Sequence, residues 1–123
     1  MQKGIHTFLD DDEMERDKAI SAELRKAIEG SRCSVVILSR NYASSRWCLD
    51  ELVLILQCMK ESKQIVLPIF YQVDPSHVRK QIGGIGEAFQ RHEQVHNLQK
   101  VNSWRAALTK VGNLAGYHLQ YDG

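Results

Sequence analysis

Two apolar runs of strand length, "CSVVILS" at residues 33–39 and "QIVLPIFYQV" at 64–73, bracket a long segment of helical periodicity, "RWCLDELVLILQCMKE". Runs with so little polar interruption suit strands covered on both faces, as in parallel sheets. Parallel strands cannot be joined by a hairpin. They need a crossover, and a helix is the usual one. The order strand, helix, strand therefore points to an α/β fold: a parallel sheet with helices packed against it.

The flanking segments continue the alternation. "GIHTF" at 4–8 is short and β-prone, and an acidic cluster at 10–13 stops it. "KAISAELRKAIEGS" carries Ile20, Leu24, Ala27 and Ile28 on one helical stripe, which Gly30 ends. Ser44 or Ser45 is positioned to cap the long helix. Pro68 predicts a bulge or irregularity in its strand, because it has no N–H to give. "DPSHVRKQIGGIG" reads as a loop with at most one short helical turn, its "GGIG" a flexible connector and its "HVRK" a solvated basic patch. "GEAFQRHEQ" and "VNSWRAALTKVGNLAG" read as two further helices, with Trp104 and Leu108 in the core, and "GYHLQY" as a short last strand. That makes about four strands, where a complete flavodoxin-like unit has five. With 123 residues and no repeats or long linkers, residues 1–123 are read as one domain.

Composition narrows the partners. A net charge of +1 argues against a nucleic-acid or anionic-membrane footprint. No apolar run approaches the ~18 residues of a membrane span, and "MQKGIHTFLDDDE" lacks a secretory pattern. Three cysteines without a Cys-x-x-Cys pair, two of them (Cys33 and Cys58) in apolar runs, read as reduced thiols in a cytoplasmic protein. His6, His77, His92, His96 and His118 are dispersed without ligand spacing, so no metal is expected.

The long helix holds one residue that its surroundings do not explain. On a wheel of ~100° per residue, Leu49, Leu52, Val53, Leu56 and Met59 form a broad apolar face, with Asp50, Gln57 and Lys60 turned to water. Glu51 falls on the flank shared by Trp47, Leu54, Ile55 and Cys58. Desolvation raises a carboxyl pKa and a helix N-terminus lowers it; periodicity does not rank the two. On the pattern alone, Glu51 is a carboxylate at the rim of the core, hydrogen-bonded to a loop amide.

The ordered blocks "KGIHTFLDDDEMER", "ISAELRKAIEGSR", "VVILSRNYASSRWCLDEL", "LPIFYQVDPSHVRKQ", "GEAF" with "HE", and "WRAALTKVGNLAGYH" resemble a plant Toll/interleukin-1 receptor (TIR) domain, of the type found at the front of intracellular immune receptors. The resemblance spans nearly the whole chain. It implies a three-layer flavodoxin-like TIR fold. It also implies a partial, N-terminally truncated domain, since the family's first strand and first helix, with their Phe-Arg-Gly-type segment, have no counterpart here. In the order 2-1-3-4-5 that strand lies between the second and third, so "GIHTF" and "CSVVILS" are expected either to flank a gap or to pair directly. A chain so shortened is expected, on its own, to be marginally folded and to have little or no activity.

By the same resemblance Glu51 matches the glutamate that cleaves the nicotinamide–ribose bond of NAD+, a substrate rather than a cofactor. Ser45 and Trp47 match pocket-lining positions, Trp47 being otherwise an aromatic packed on the sheet. Arg16 matches a residue that approaches phosphate or ribose. Its neighbour is Asp17 where the family has Gly, which favours a solvated surface charge. Cys48 matches a cysteine tied to a second activity, formation of 2′,3′-cyclic nucleotides; as a residue pattern it is a core cysteine. Two functions follow: an NAD+ hydrolase giving nicotinamide and an ADP-ribose-type or cyclic ADP-ribose-type product in defence signalling, or a non-catalytic self-association module. Self-association serves both, because the loop at 10–18 is expected to complete the site between subunits.

Overall fold

The computed structural model describes residues 5–8 and 22–119. Four parallel strands, β1 (Ile5–Phe8), β2 (Cys33–Leu38), β3 (Ile65–Tyr71) and β4 (Tyr117–Leu119), form one sheet in the order β1-β2-β3-β4. Five helices accompany them: α1 (Ala22–Gly30), α2 (Arg46–Ser62), α3 (Pro75–Lys80), α4 (Gly84–Val95) and α5 (Leu98–Gly112). The α/β class and the parallel sheet are those expected. Of the two arrangements foreseen for the first strands, direct pairing is found, with Ile5 opposite Cys33 and Phe8 opposite Val36.

Local chemistry sets the helix ends. The Ser45 hydroxyl accepts from the Cys48 N–H at 3.2 Å and starts α2; Lys63, at φ 55°, stops it in the left-handed region. Asp74 caps α3 through the Ser76 N–H, with Pro75 in the first turn. Asn97 caps α5 through the Lys100 N–H. "GGIG" is not a connector. Gly83, at φ 66°, turns the chain and Gly84 to Gly86 open α4, where a Cβ on Gly86 would press on the Gln81 carbonyl at 2.8 Å.

Pro68 makes no bulge. The β2–β3 register runs unbroken from Cys33 opposite Ile65 to Leu38 opposite Phe70. A Cβ on Gly116 would collide with the Pro68 carbonyl, so that carbonyl faces the entry to β4. The N–H and C=O of one strand residue leave on the same side, and β4 pairs only from Ile69 opposite Tyr117 onward. The missing donor therefore falls ahead of the ladder, where nothing requires it.

The two sheet faces are unequally covered. In β2, Ser34, Val36 and Leu38 are buried, while Cys33, Val35 and Ile37 are half-buried; Val66 and Phe70 continue the buried face in β3. Cys33 is thus on the less covered face, not in the core, whereas Cys58 is buried as expected. The helices join into a continuous layer, α1 on α2, α2 on α5 and on β3, and α5 on α3 and α4. Its centre is α2, in which Leu49, Leu52 and Ile55 are fully enclosed, and Trp104 and Leu108 of α5 are in the core as expected.

Asp50 departs from its expected solvated place. Its Oδ1 accepts the indole N–H of buried Trp104 at 2.9 Å, with Lys100 Nζ 3.7 Å away. This links α2 to α5. Asp50→Ala, which strands a buried indole donor, is expected to lower unfolding stability by about 1–3 kcal/mol in urea titration, while Asp50→Asn, which keeps an acceptor, costs less.

Candidate active site

The carboxyl ends of β2 and β3 point to one edge of the sheet, the edge where open α/β sheets hold their ligands. From β2 the chain passes Arg40 into a short 3-10 turn, Tyr42–Ser44, and then into α2. Three contacts secure that turn. Buried Tyr42 donates its hydroxyl to the Cys48 carbonyl at 3.2 Å, His92 Nε2 meets the Ala43 carbonyl at 2.8 Å, and Arg91 Nη2 donates to the Ser44 hydroxyl at 3.3 Å. The start of α2 is thus fixed from within by Tyr42 and from α4 by His92 and Arg91.

Four of the anticipated residues meet in the first two turns of this helix. Ser45 is the cap, its oxygen already engaged by the Cys48 N–H. Cys48 is 1% exposed. Trp47 and Glu51, four residues apart, share a face and are both buried, Glu51 at 3% exposure. Arg16 and the loop at 10–18 lie outside the described residues.

Glu51 is not the rim carboxylate that periodicity alone implied. Its Oε2 and the Trp47 Nε1 are both enclosed and neither completes a hydrogen bond. The indole stands near enough to draw the carboxyl pKa down a little, and the charge of Asp50 pushes it up. Desolvation exceeds both, so the pKa rises from 4.5 to about 7. The opposition between burial and helix N-terminus is decided in favour of burial. At neutral pH the carboxyl is shared between acid and carboxylate, the condition of a group poised for proton or charge chemistry.

Beside this edge, a cleft of about 260 Å³ lies between Arg40 of the β2 loop, Gln72 to Asp74 of the β3 loop, His77 of α3 and Ile85 of α4. Glu51 is not among its lining residues. Arg40 and His77 were missed by sequence reading, although each follows the carboxyl end of a central strand, a positional signal available without coordinates. The "HVRK" segment is helical rather than a solvated loop, with Val78 buried and His77 exposed at the cleft. Ser76 holds Asp74 below the usual carboxylate range by hydrogen bonds from its hydroxyl and amide. His92 and His96, read as dispersed, stand one helical turn apart with ring centroids 5.5 Å from each other. Among the described residues no group of His, Cys, Asp and Glu is arranged to hold a metal.

The buried carboxyl leaves a signature in stability. Its folded pKa is above its unfolded one, so its contribution is fully present below about pH 4.5 and is lost as pH rises through about 7. Glu51→Gln removes that loss. The variant is expected to gain about 2 kcal/mol on the parent between pH 5 and pH 8, after allowance for residual hydration, in parallel urea titrations. Parallel pH profiles for the two proteins would overturn this.

Comparison with known proteins gives a consistent set of relatives. A family profile, the TIR domain, matches residues 1–121. The disease resistance protein RPV1 of Vitis rotundifolia is 55% identical over 121 residues, covering 98% of this chain and 8% of that protein. The TMV resistance protein N of Nicotiana glutinosa is 49% identical over 116 residues, 93% of this chain and 10% of that one. The chain thus spans about a tenth or less of these relatives' length. Among solved structures, the TIR domains of the activated Roq1 resistosome, described as directly recognizing the pathogen effector XopQ, superpose with a TM-score of 0.81 at 53% identity, covering 93% of this chain and 70% of that one.

Proposed function

The chain belongs to the TIR-domain family, and on that premise we propose that it cleaves the nicotinamide–ribose bond of NAD+ with Glu51 as the catalytic carboxylate. The observation that carries this reading is the enclosed Glu51 carboxyl beside the Trp47 indole, with Oε2 completing no hydrogen bond and the pKa raised to about 7. Such a group is costly to maintain unless it has work at that position.

The reaction asks little beyond one such carboxylate. In NAD+ the leaving nicotinamide is a cationic pyridinium. When the C1′–N bond breaks, its electron pair returns to the ring nitrogen and nicotinamide departs neutral, without a proton from an acid. This differs from ordinary glycoside cleavage, which uses a second carboxyl group for the leaving oxygen. Positive charge develops at C1′, where the Glu51 carboxylate, weakly hydrated, stabilises it strongly. Water then adds to C1′ and its proton passes to Glu51 or solvent; addition of a substrate nitrogen instead gives a cyclic product. Trp47 supplies the apolar wall and Ser45 the helix start that aims Glu51, while Arg16 is assigned to phosphate or ribose. NAD+ enters as substrate, and neither metal nor cofactor takes part.

The relatives are named a disease resistance protein and a TMV resistance protein, and the matched solved domains belong to an activated assembly. Those names support a role for this chain in defence signalling and association with further TIR domains; a cytoplasmic site of action and completion of the site between copies by the segment at 10–18 are part of the proposal. A non-catalytic association module is the second reading. It is favoured by the separation of Glu51 from the cleft at the strand ends.

Nicotinamide release followed by chromatography distinguishes the two. Glu51→Ala is expected to lower turnover by about 10²–10³-fold, and Asp50→Asn to leave it within about threefold. In the parent, kcat/KM should rise with pH along a limb centred near the Glu51 value of about 7, since the carboxylate is the working form. Equal losses in both variants, with folding intact, would sink the assignment. Activity per molecule is also expected to rise with protein concentration across the range where light scattering reports assembly; a flat specific activity there would count against completion of the site between copies.

A further inference from the structure

Glu51 is aimed by a helix whose start is held from α4, by Arg91 at the exposed Ser44 hydroxyl and, in the interior, by the imidazole of His92. His92 of α4 is 7% exposed, with Nε2 2.8 Å from the carbonyl of Ala43, itself buried. A carbonyl only accepts, so the bonded proton is on Nε2. Burial lowers the ring's pKa; the Ala43 hydrogen bond opposes this in part, and His96 and Arg91 act in the same direction as burial. Trp104 crosses the ring edge-on at 4.9 Å and Phe89 at 5.6 Å, so it has little freedom to turn. The same Trp104 donates to Asp50, the residue before Glu51. Ala43 stands two residues ahead of Ser45, the cap of α2.

We propose that His92 is a positioning residue for Glu51: its N–H fixes the 3-10 turn at Ala43, and through that turn the first two turns of α2 and the enclosure of the carboxyl. The activity consequence rests on the NAD+-cleavage reading; the positional one does not. His92 touches none of the reacting atoms. Without its N–H the Ala43 carbonyl is left buried without this donor, and the turn relaxes toward water. The start of α2 shifts with it, and the Glu51 carboxyl becomes better hydrated.

Two substitutions in the 1–123 chain separate the hydrogen bond from the packing. His92→Phe keeps a ring against Trp104 and removes the donor; His92→Gln returns an N–H. Two readouts are taken: the Glu51 carboxyl titration by carbon-13 NMR, and kcat and KM for nicotinamide release. In His92→Phe the Glu51 midpoint is expected to fall by roughly half a pH unit or more. Its kcat should drop about tenfold or more, with KM for NAD+ within twofold. His92→Gln should restore both. If His92→Phe does not melt cooperatively, His92→Asn, whose amide is too short to reach Ala43, is read in its place with the same expectations. An unmoved Glu51 titration in a folded variant overturns the positioning role, even where the parent releases nicotinamide. A titration that moves in a chain releasing none upholds that role and counts instead against NAD+ cleavage.

Discussion

A helix that is apolar on nearly every side can exist in water only if other elements surround it. In this chain α2 is that helix, with Trp47, Cys48, Leu49, Leu52, Leu54, Ile55, Leu56 and Cys58 all buried. β3, α1 and α5 pack against it. The remaining arrangement follows from its enclosure, for the sheet supplies a floor and α5 a flank. Glu51 is taken into the interior with the helix that carries it. The desolvation that does most to lift its pKa to about 7 is a consequence of this packing, with the charge of Asp50 adding a smaller push.

The same enclosure gives the two adjacent carboxylates opposite lives. Asp50 turns toward α5 and meets the Trp104 indole and Lys100, so its charge is solvated by protein groups. Glu51 turns inward and meets an indole whose N–H completes no hydrogen bond. A residue step of ~100° around the axis is enough to separate a carboxylate paired with α5 from one enclosed with a raised pKa. The braces from α4 act on the other end of the same segment. Tyr42, His92 and Arg91 fix the turn that precedes Ser45, so the direction of α2 is set by contacts on both sides of its cap.

How much was legible in the sequence is best seen residue by residue. β2 and β3 showed as short continuous apolar runs and α1 and α5 as stripes at a period of ~3.6, and both are local information. The cap at Ser45 and the core places of Trp104 and Leu108 were readable for the same reason. Pro68 misled because its cost depends on which side of the strand is paired and where the neighbouring strand begins. The glycines at 83–86 misled because one positive φ distinguishes a helix start from a slack connector. Asp50 misled because its partner, Trp104, lies 54 positions away.

The order of elements, the parallel α/β class and the candidacy of Glu51 belong to the chain as written, since each rests on residue spacing or on an ordered set of motifs. The state of Glu51 does not. A pKa depends on what excludes water from every direction, and the burial that raises this one is reached only when α2 is packed into the fold. The direct pairing of β1 with β2, the cleft between Arg40 and His77, and the reach of His92 to Ala43 were likewise fixed only on folding, because each joins segments whose separation along the chain carries no signal of their contact.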